Sequence, residues 1–101
     1  MAYGLIGKFS ARPGRRDELV AVLLAAAGAL EKVPGCLQYV VSTSGEPDAV
    51  WVTEVWTDRA AHDASLEPEE TRAAIERARP LIAGYSDATE LTVLGGAHLD
   101  L

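Results

Sequence analysis

A chain of 101 residues has room for one domain built on one core. Leu, Ile, Val and Phe supply 25 of those residues and charged residues 24%, a composition that excludes intrinsic disorder. The formal net charge of −6 repels phosphate backbones and anionic membrane faces, so neither a nucleic-acid module nor a membrane-surface protein is expected.

Tyr3, Leu5 and Phe9 alternate with Ile6, Lys8 and Ser10, which predicts a strand over residues 3–11. Arg12-Pro13-Gly14 breaks it, and Leu19, Val22, Leu23, Ala26, Leu30 and Val33 then recur at intervals of three and four. That spacing predicts a helix over 14–32 with one buried stripe. Its apolar run, residues 19–30, is 12 long and falls short of the ~20 needed to span a bilayer. Pro34-Gly35 stops the helix. Residues 36–43 and 49–57 are rich in strand formers and flank the turn-forming Gly45-Glu46-Pro47-Asp48, an antiparallel hairpin. Asp58 suits the N-cap of a short helix over 59–66, and Pro68-Glu69-Glu70 suits the first turn of a longer one. In that helix Thr71, Ile75, Ala78 and Ile82 share a face, with its end expected near Ala83-Gly84. A last strand is expected over 89–94, after which Gly95-Gly96 releases a short tail. The expected division is a single domain over 1–94 and a tail over 95–101.

The order βαββαβ is the ferredoxin-like pattern of the α+β class, an antiparallel sheet with helices on one face. In the third strand Val50, Val52, Glu54 and Trp56 alternate with Trp51, Thr53, Val55 and Thr57, so the two tryptophans, five apart, point to opposite faces. Both faces carry apolar groups, unlike a sheet open to water on one side. The expected cover is a second copy, a homodimer whose sheets pack face to face about a two-fold axis. The sequence opens without a signal-peptide pattern, and its single cysteine cannot form an internal disulfide. A reducing, cytoplasmic location is expected.

Several chemistries lack their signatures. His62 and His98 are far apart with no second cysteine, so no metal site is expected. Gly4-Leu5-Ile6-Gly7 lies within a strand and lacks a phosphate-binding pattern; it reads as close contact with another strand or a partner. No Gly-x-Ser-x-Gly elbow occurs, and Cys36, without a nearby base, reads as a small buried hydrophobe before a nucleophile. What remains is Glu54, Trp56 and His62. A carboxylate among Val50, Val52 and Trp56 loses solvation, which raises its pKa and suits it to proton transfer. The structural alternative pairs Glu54 with Lys8, an Arg or a backbone N–H to hold register. For His62 the alternative is a local contact with Asp58. Trp56, Trp51 and Tyr39 are candidate walls for a planar ligand, or simply core and interface aromatics. Arg72, Arg77 and Arg79, interleaved with Glu69, Glu70 and Glu76, read as a solvated helix face.

Pro34-Gly35-Cys36-Leu37-Gln38-Tyr39, Trp51-Val52-Thr53-Glu54-Val55-Trp56-Thr57-Asp58 and Ala61-His62-Asp63-Ala64-Ser65-Leu66, at these intervals, resemble the antibiotic biosynthesis monooxygenase family, nearest its quinol monooxygenase branch. The resemblance covers nearly the whole chain and implies a dimeric α+β barrel. It also implies an oxygenase that uses no flavin, metal or haem and inserts O₂ into a quinol, polycyclic phenol or anthrone. Glu54 and His62 are then the candidates to handle the proton, with Trp56, Tyr39 and Trp51 as substrate walls. The family's haem-degrading relatives use an Asn, a Trp and a haem-ligating His. His62 falls where that Trp would be and Arg72 about where that His would be, and the chain has no Asn, so haem degradation is not expected. The alternatives are a non-catalytic or stress-related module that binds small aromatics, and a non-oxidative cyclase or isomerase that needs the base but no oxygen.

Overall fold

In the computed structural model, which describes residues 1–99 and 101, the elements follow the expected order. They are β1 (Ala2–Ala11), α1 (Arg16–Leu30), β2 (Cys36–Thr43), β3 (Ala49–Trp56), α2 (Arg59–Ser65), α3 (Glu69–Ala78), a 3-10 turn (Arg79–Leu81) and β4 (Ile82–Val93). The strands form one antiparallel sheet in the order β2-β3-β1-β4, the ferredoxin-like α+β arrangement.

Strand register decides which side chains meet. Tyr3, Leu5, Gly7 and Phe9 of β1 stand opposite Trp56, Glu54, Val52 and Val50 of β3. Tyr39 and Val41 of β2 stand opposite Glu54 and Val52. Directly opposed residues share a face, and this face looks toward the helices, because Val50 and Val52 are buried against Leu19 and Leu23 of α1, Ala78 of α3 and Leu81. Each buried leucine contributes about 1.5–3 kcal/mol over an exposed one. Helix α1 begins just after Gly14, whose φ of +77° lies in the left-handed region open to glycine. Leu24 is exposed, so the apolar run of α1 is covered along a stripe and not all round.

Two expectations are corrected. Helix α3 ends at Ala78, not near Ala83-Gly84, because Pro80 offers no N–H and its ring crowds the preceding turn; Ile82 therefore opens β4 instead of extending a helical stripe. Strand β4 spans 12 residues instead of the expected six over 89–94. Gly84, Ser86 and Asp87 are poor strand formers and hide its first half, but pairing with β1 from Ala11↔Ile82 to Ala2↔Val93 carries them. The ladder slips between Ile6/Lys8, where β4 holds an extra residue and Asp87 has φ 56°. This is a β-bulge, with a second irregularity between Ser10 and Ala11. The expected tail over 95–101 includes Asp100, which lies outside the described residues.

Candidate active site

The even positions of β3 carry the site. Trp56 is almost wholly buried at 1% exposure, and its indole N–H needs an acceptor. It donates to Glu54 Oε1 at 3.0 Å, two residues back on the same face. Glu54 is thus held beneath the helices with only 14% of its side chain exposed. Burial pushes its carboxyl above the ordinary range, against the indole hydrogen bond and the nearby His62, which pull it down. The partners weighed from sequence, Lys8 or an arginine, are not the ones it meets. Lys8 points to the other face and pairs with Glu46 at 3.2 Å and Asp87 at 3.6 Å.

Helix α2 brings His62 over this carboxyl. Asp58 caps it as expected, accepting the Ala61 N–H at 2.7 Å. Gly35 lets the helix come close, since a Cβ there would lie 2.6 Å from the Cβ of Ala61, while the Thr57 N–H donates to the Gly35 carbonyl at 2.9 Å. His62 then sits edge-on to Trp56 at 5.7 Å between centroids and 5.4 Å from the Tyr3 ring. Its Nδ1 lies 2.9 Å from Asp63 Oδ1, and its Nε2 lies 4.0 Å from Glu54 Oε1. That gap is too long for a direct hydrogen bond, but a hydroxyl oxygen about 2.8 Å from each atom would touch both. The contact with Asp58 weighed from sequence exists only through the backbone, His62 N–H to Asp58 O.

Tyr39 faces Glu54 from β2, and Cys36 faces Trp56. Burial first, and the Glu54 charge second, push the Tyr39 phenol and the Cys36 thiol upward, so both keep their protons. A thiol held protonated is a poor nucleophile, which agrees with its reading as a hydrophobe. A cleft of about 310 Å³ between the C-terminal half of α1 and β2 opens onto these two residues. At the far side Tyr3 donates to Glu90 Oε2 at 2.8 Å, and Arg59 pairs with the same oxygen at 2.9 Å. Desolvation, with the Glu90 contact second, pushes the Tyr3 phenol up to about 12.

Glu54, Trp56, His62 and Tyr39 are therefore brought together, and Trp51 is not. Its register partners Lys8 and Ser42 place it on the opposite face, with the Lys8 ammonium 5.7 Å from its ring centroid. Tyr85 of β4, which carries no local sequence signal, also reaches the helix-facing side, where it pairs with Phe9 and lies over Gly7 of β1. Among the described residues no cluster of His, Cys, Asp and Glu is arranged to hold a metal ion, and no helix is long and apolar enough to cross a membrane.

Comparison with known proteins places this geometry in context. A family model described as antibiotic biosynthesis monooxygenase matches residues 2–77. A structure from Chloroflexus aurantiacus J-10-fl, assigned to that family, is 46% identical with a TM-score of 0.87, covering 95% of this chain and 96% of that one. One from Caulobacter crescentus CB15, similarly assigned, is 22% identical with a TM-score of 0.84 over 93% of this chain and 91% of that one. A variant of SnoaB, a cofactor-independent oxygenase from Streptomyces nogalater, is 17% identical with a TM-score of 0.78 over 94% and 95%. The latter two likenesses are of fold. No curated protein matches the sequence.

Proposed function

Because the chain belongs to the antibiotic biosynthesis monooxygenase family, we propose that it is a cofactor-independent monooxygenase acting on a quinol or a polycyclic phenol or anthrone. The observation that carries this reading is the desolvated Glu54 carboxyl, with His62 Nε2 4.0 Å away and the walls of Trp56 and Tyr39 around it. An electron-rich phenolate or enolate can itself reduce O₂, so the protein must remove a proton, orient the ring and exclude water. A substrate hydroxyl placed between Glu54 and His62 would lose its proton there. For an anthrone the balance closes with O₂ alone: the ring CH₂ becomes a carbonyl, one oxygen atom enters the product and the other leaves as water. SnoaB, of the same fold, is described as working without a cofactor, which supports the same economy here.

The working unit we propose is a cytoplasmic homodimer of one domain, residues 1–94 with a tail over 95–101. Ile6, Val40, Trp51, Val55, Leu91 and Val93 stand on the sheet face away from the helices, and Val40 and Leu91 are exposed there. A sheet face this apolar is covered most simply by the same face of a second copy, and Trp51 then serves the interface and not the substrate.

The test is oxygen uptake by metal-free, flavin-free protein with hydroquinones and anthrones, corrected for their autoxidation. Uptake proportional to protein and lost in Glu54→Gln or His62→Ala is expected. Absence of uptake alongside saturable quenching of tryptophan fluorescence would overturn the oxygenase and leave a site that binds aromatics or handles protons without oxygen.

A further inference from the structure

Tyr85 occupies a place that the strand pattern alone would not give it. Tyr85 and Glu90 are five apart on β4, a separation that in a regular strand points two side chains to opposite faces, as it does for Trp51 and Trp56. Yet Tyr85 is paired with Phe9 and Glu90 with Leu5, both on the helix-facing side. The extra residue at the Asp87 bulge resets the alternation between them. From the outermost strand the Tyr85 ring then leans inward across β1. It packs 4.5 Å from the Phe9 ring and lies over Gly7, where a Cβ would overlap its hydroxyl and ring. Gly7 is next but one to Leu5, the residue opposite Glu54. Tyr39 stands opposite Glu54 on β2, and Tyr85 leans over Gly7 from β4, so the two phenols flank the Glu54 row from opposite edges of the sheet; burial first, and the Glu54 charge second, raise both. Tyr39 is packed against the core, whereas Tyr85 is 47% exposed. One wall is fixed, and the other stands at the solvent side on bare backbone.

Resting on the monooxygenase reading above, we infer that Tyr85, seated on Gly7 by the β4 bulge, is the specificity-determining wall of this site and sets how large a fused-ring substrate can reach Glu54. A narrow ring beside a fixed opposite wall admits a single aromatic ring more readily than a fused system. Removing the phenol opens the β1 backbone around Gly7 as an added floor. Adding a methyl at Gly7 drives the phenol outward and alters the same gap without touching any residue that handles the proton.

The experiment compares a one-ring hydroquinone with a three-ring anthrone, by steady-state kinetics and by saturable tryptophan quenching, in the wild type, Tyr85→Phe, Tyr85→Ala, Gly7→Ala and the Tyr85→Ala/Gly7→Ala pair. Tyr85→Ala is expected to shift the ratio of kcat/KM toward the anthrone by about tenfold, the scale at which apolar pockets discriminate by size. Tyr85→Phe should keep the wild-type ratio. Gly7→Ala should change the ratio by a different amount when Tyr85 is present than when Tyr85 is Ala, a non-additivity expected of two positions in direct contact. A ratio unmoved in a folded Tyr85→Ala variant, by kinetics and by binding, overturns the inference. Should Gly7→Ala not fold, the Phe and Ala variants at 85 decide it. If no variant or wild type consumes oxygen but the binding ratio shifts in Tyr85→Ala, the wall is upheld and the oxygenase reading alone fails.

Discussion

Glu54 holds its position through one hydrogen bond from an indole, and its charge is poorly compensated. Its raised folded-state value means that the fold favours the protonated carboxyl. The sign follows from linkage: stability is greatest below the ordinary glutamate range near 4.3 and is lost as pH rises from there through the folded value. Glu54→Gln, which retains an acceptor for Trp56 Nε1, should therefore be more stable than the wild type at pH 7. A gain of about 1 kcal/mol, or ~4–8 °C in Tm, is the scale for one such group in a domain of this size. Thermal melts from pH 3 to 8 should show the two proteins converging at the acid end. The same substitution should lower turnover by ~10²-fold or more and remove the acid limb of the pH–rate profile. Greater stability with lost activity is the mark of a charge kept for chemistry. Both Glu54 and Trp56 are legible in the sequence because they are two apart on one strand, and strand alternation is local. The carboxyl's true partner was not, since Lys8, an arginine or a backbone N–H is the expected partner until strand pairing turns Lys8 to the other face and leaves the Trp56 indole as donor.

At the scale of elements, α2 is the short helix on which the site depends. It has no buried residue of its own, so its place rests on the Asp58 cap, the Gly35 approach and the Arg59–Glu90–Tyr3 contacts. Asp58→Ala should cost about 1 kcal/mol of stability, the usual value of such a cap, and Asp58→Asn should restore it. Turnover should fall in the Ala variant by more than that loss explains and recover with Asn, because the cap also orients His62; kinetics beside urea melts check both. The same helix was readable from Asp58 onward because capping is a local event. Strand β4 shows the opposite case. Its first half is concealed by Gly84, Ser86 and Asp87, and its bulge turns the alternation over, so Tyr85 has no face until β4 is laid against β1.

For the whole molecule the open sheet face is the decisive surface. The species in solution should have a mass near twice the 10.7 kDa of the chain by light scattering at micromolar concentration. Val40→Lys and Leu91→Lys each place an ammonium on that face and should shift the mass toward the monomer, with a lower Tm at the same concentration because association and folding are linked. A monomeric wild type would refute the dimer while leaving the site on the other face as described. The amino-acid sequence by itself determined the order of elements, the buried stripe of α1, the cap of α2 and the two-sidedness of β3, because each follows from spacing within a few residues. Only the tertiary structure decided that Tyr39 faces Glu54, that His62 stands over it, which face of β3 meets the helices and that Tyr85 leans onto Gly7. Each depends on how separate elements pack: register across the hairpin sets Tyr39, the docking of α2 sets His62, and for Tyr85 a single extra residue in the β1–β4 ladder reverses the face, so no pattern within one element could have carried them.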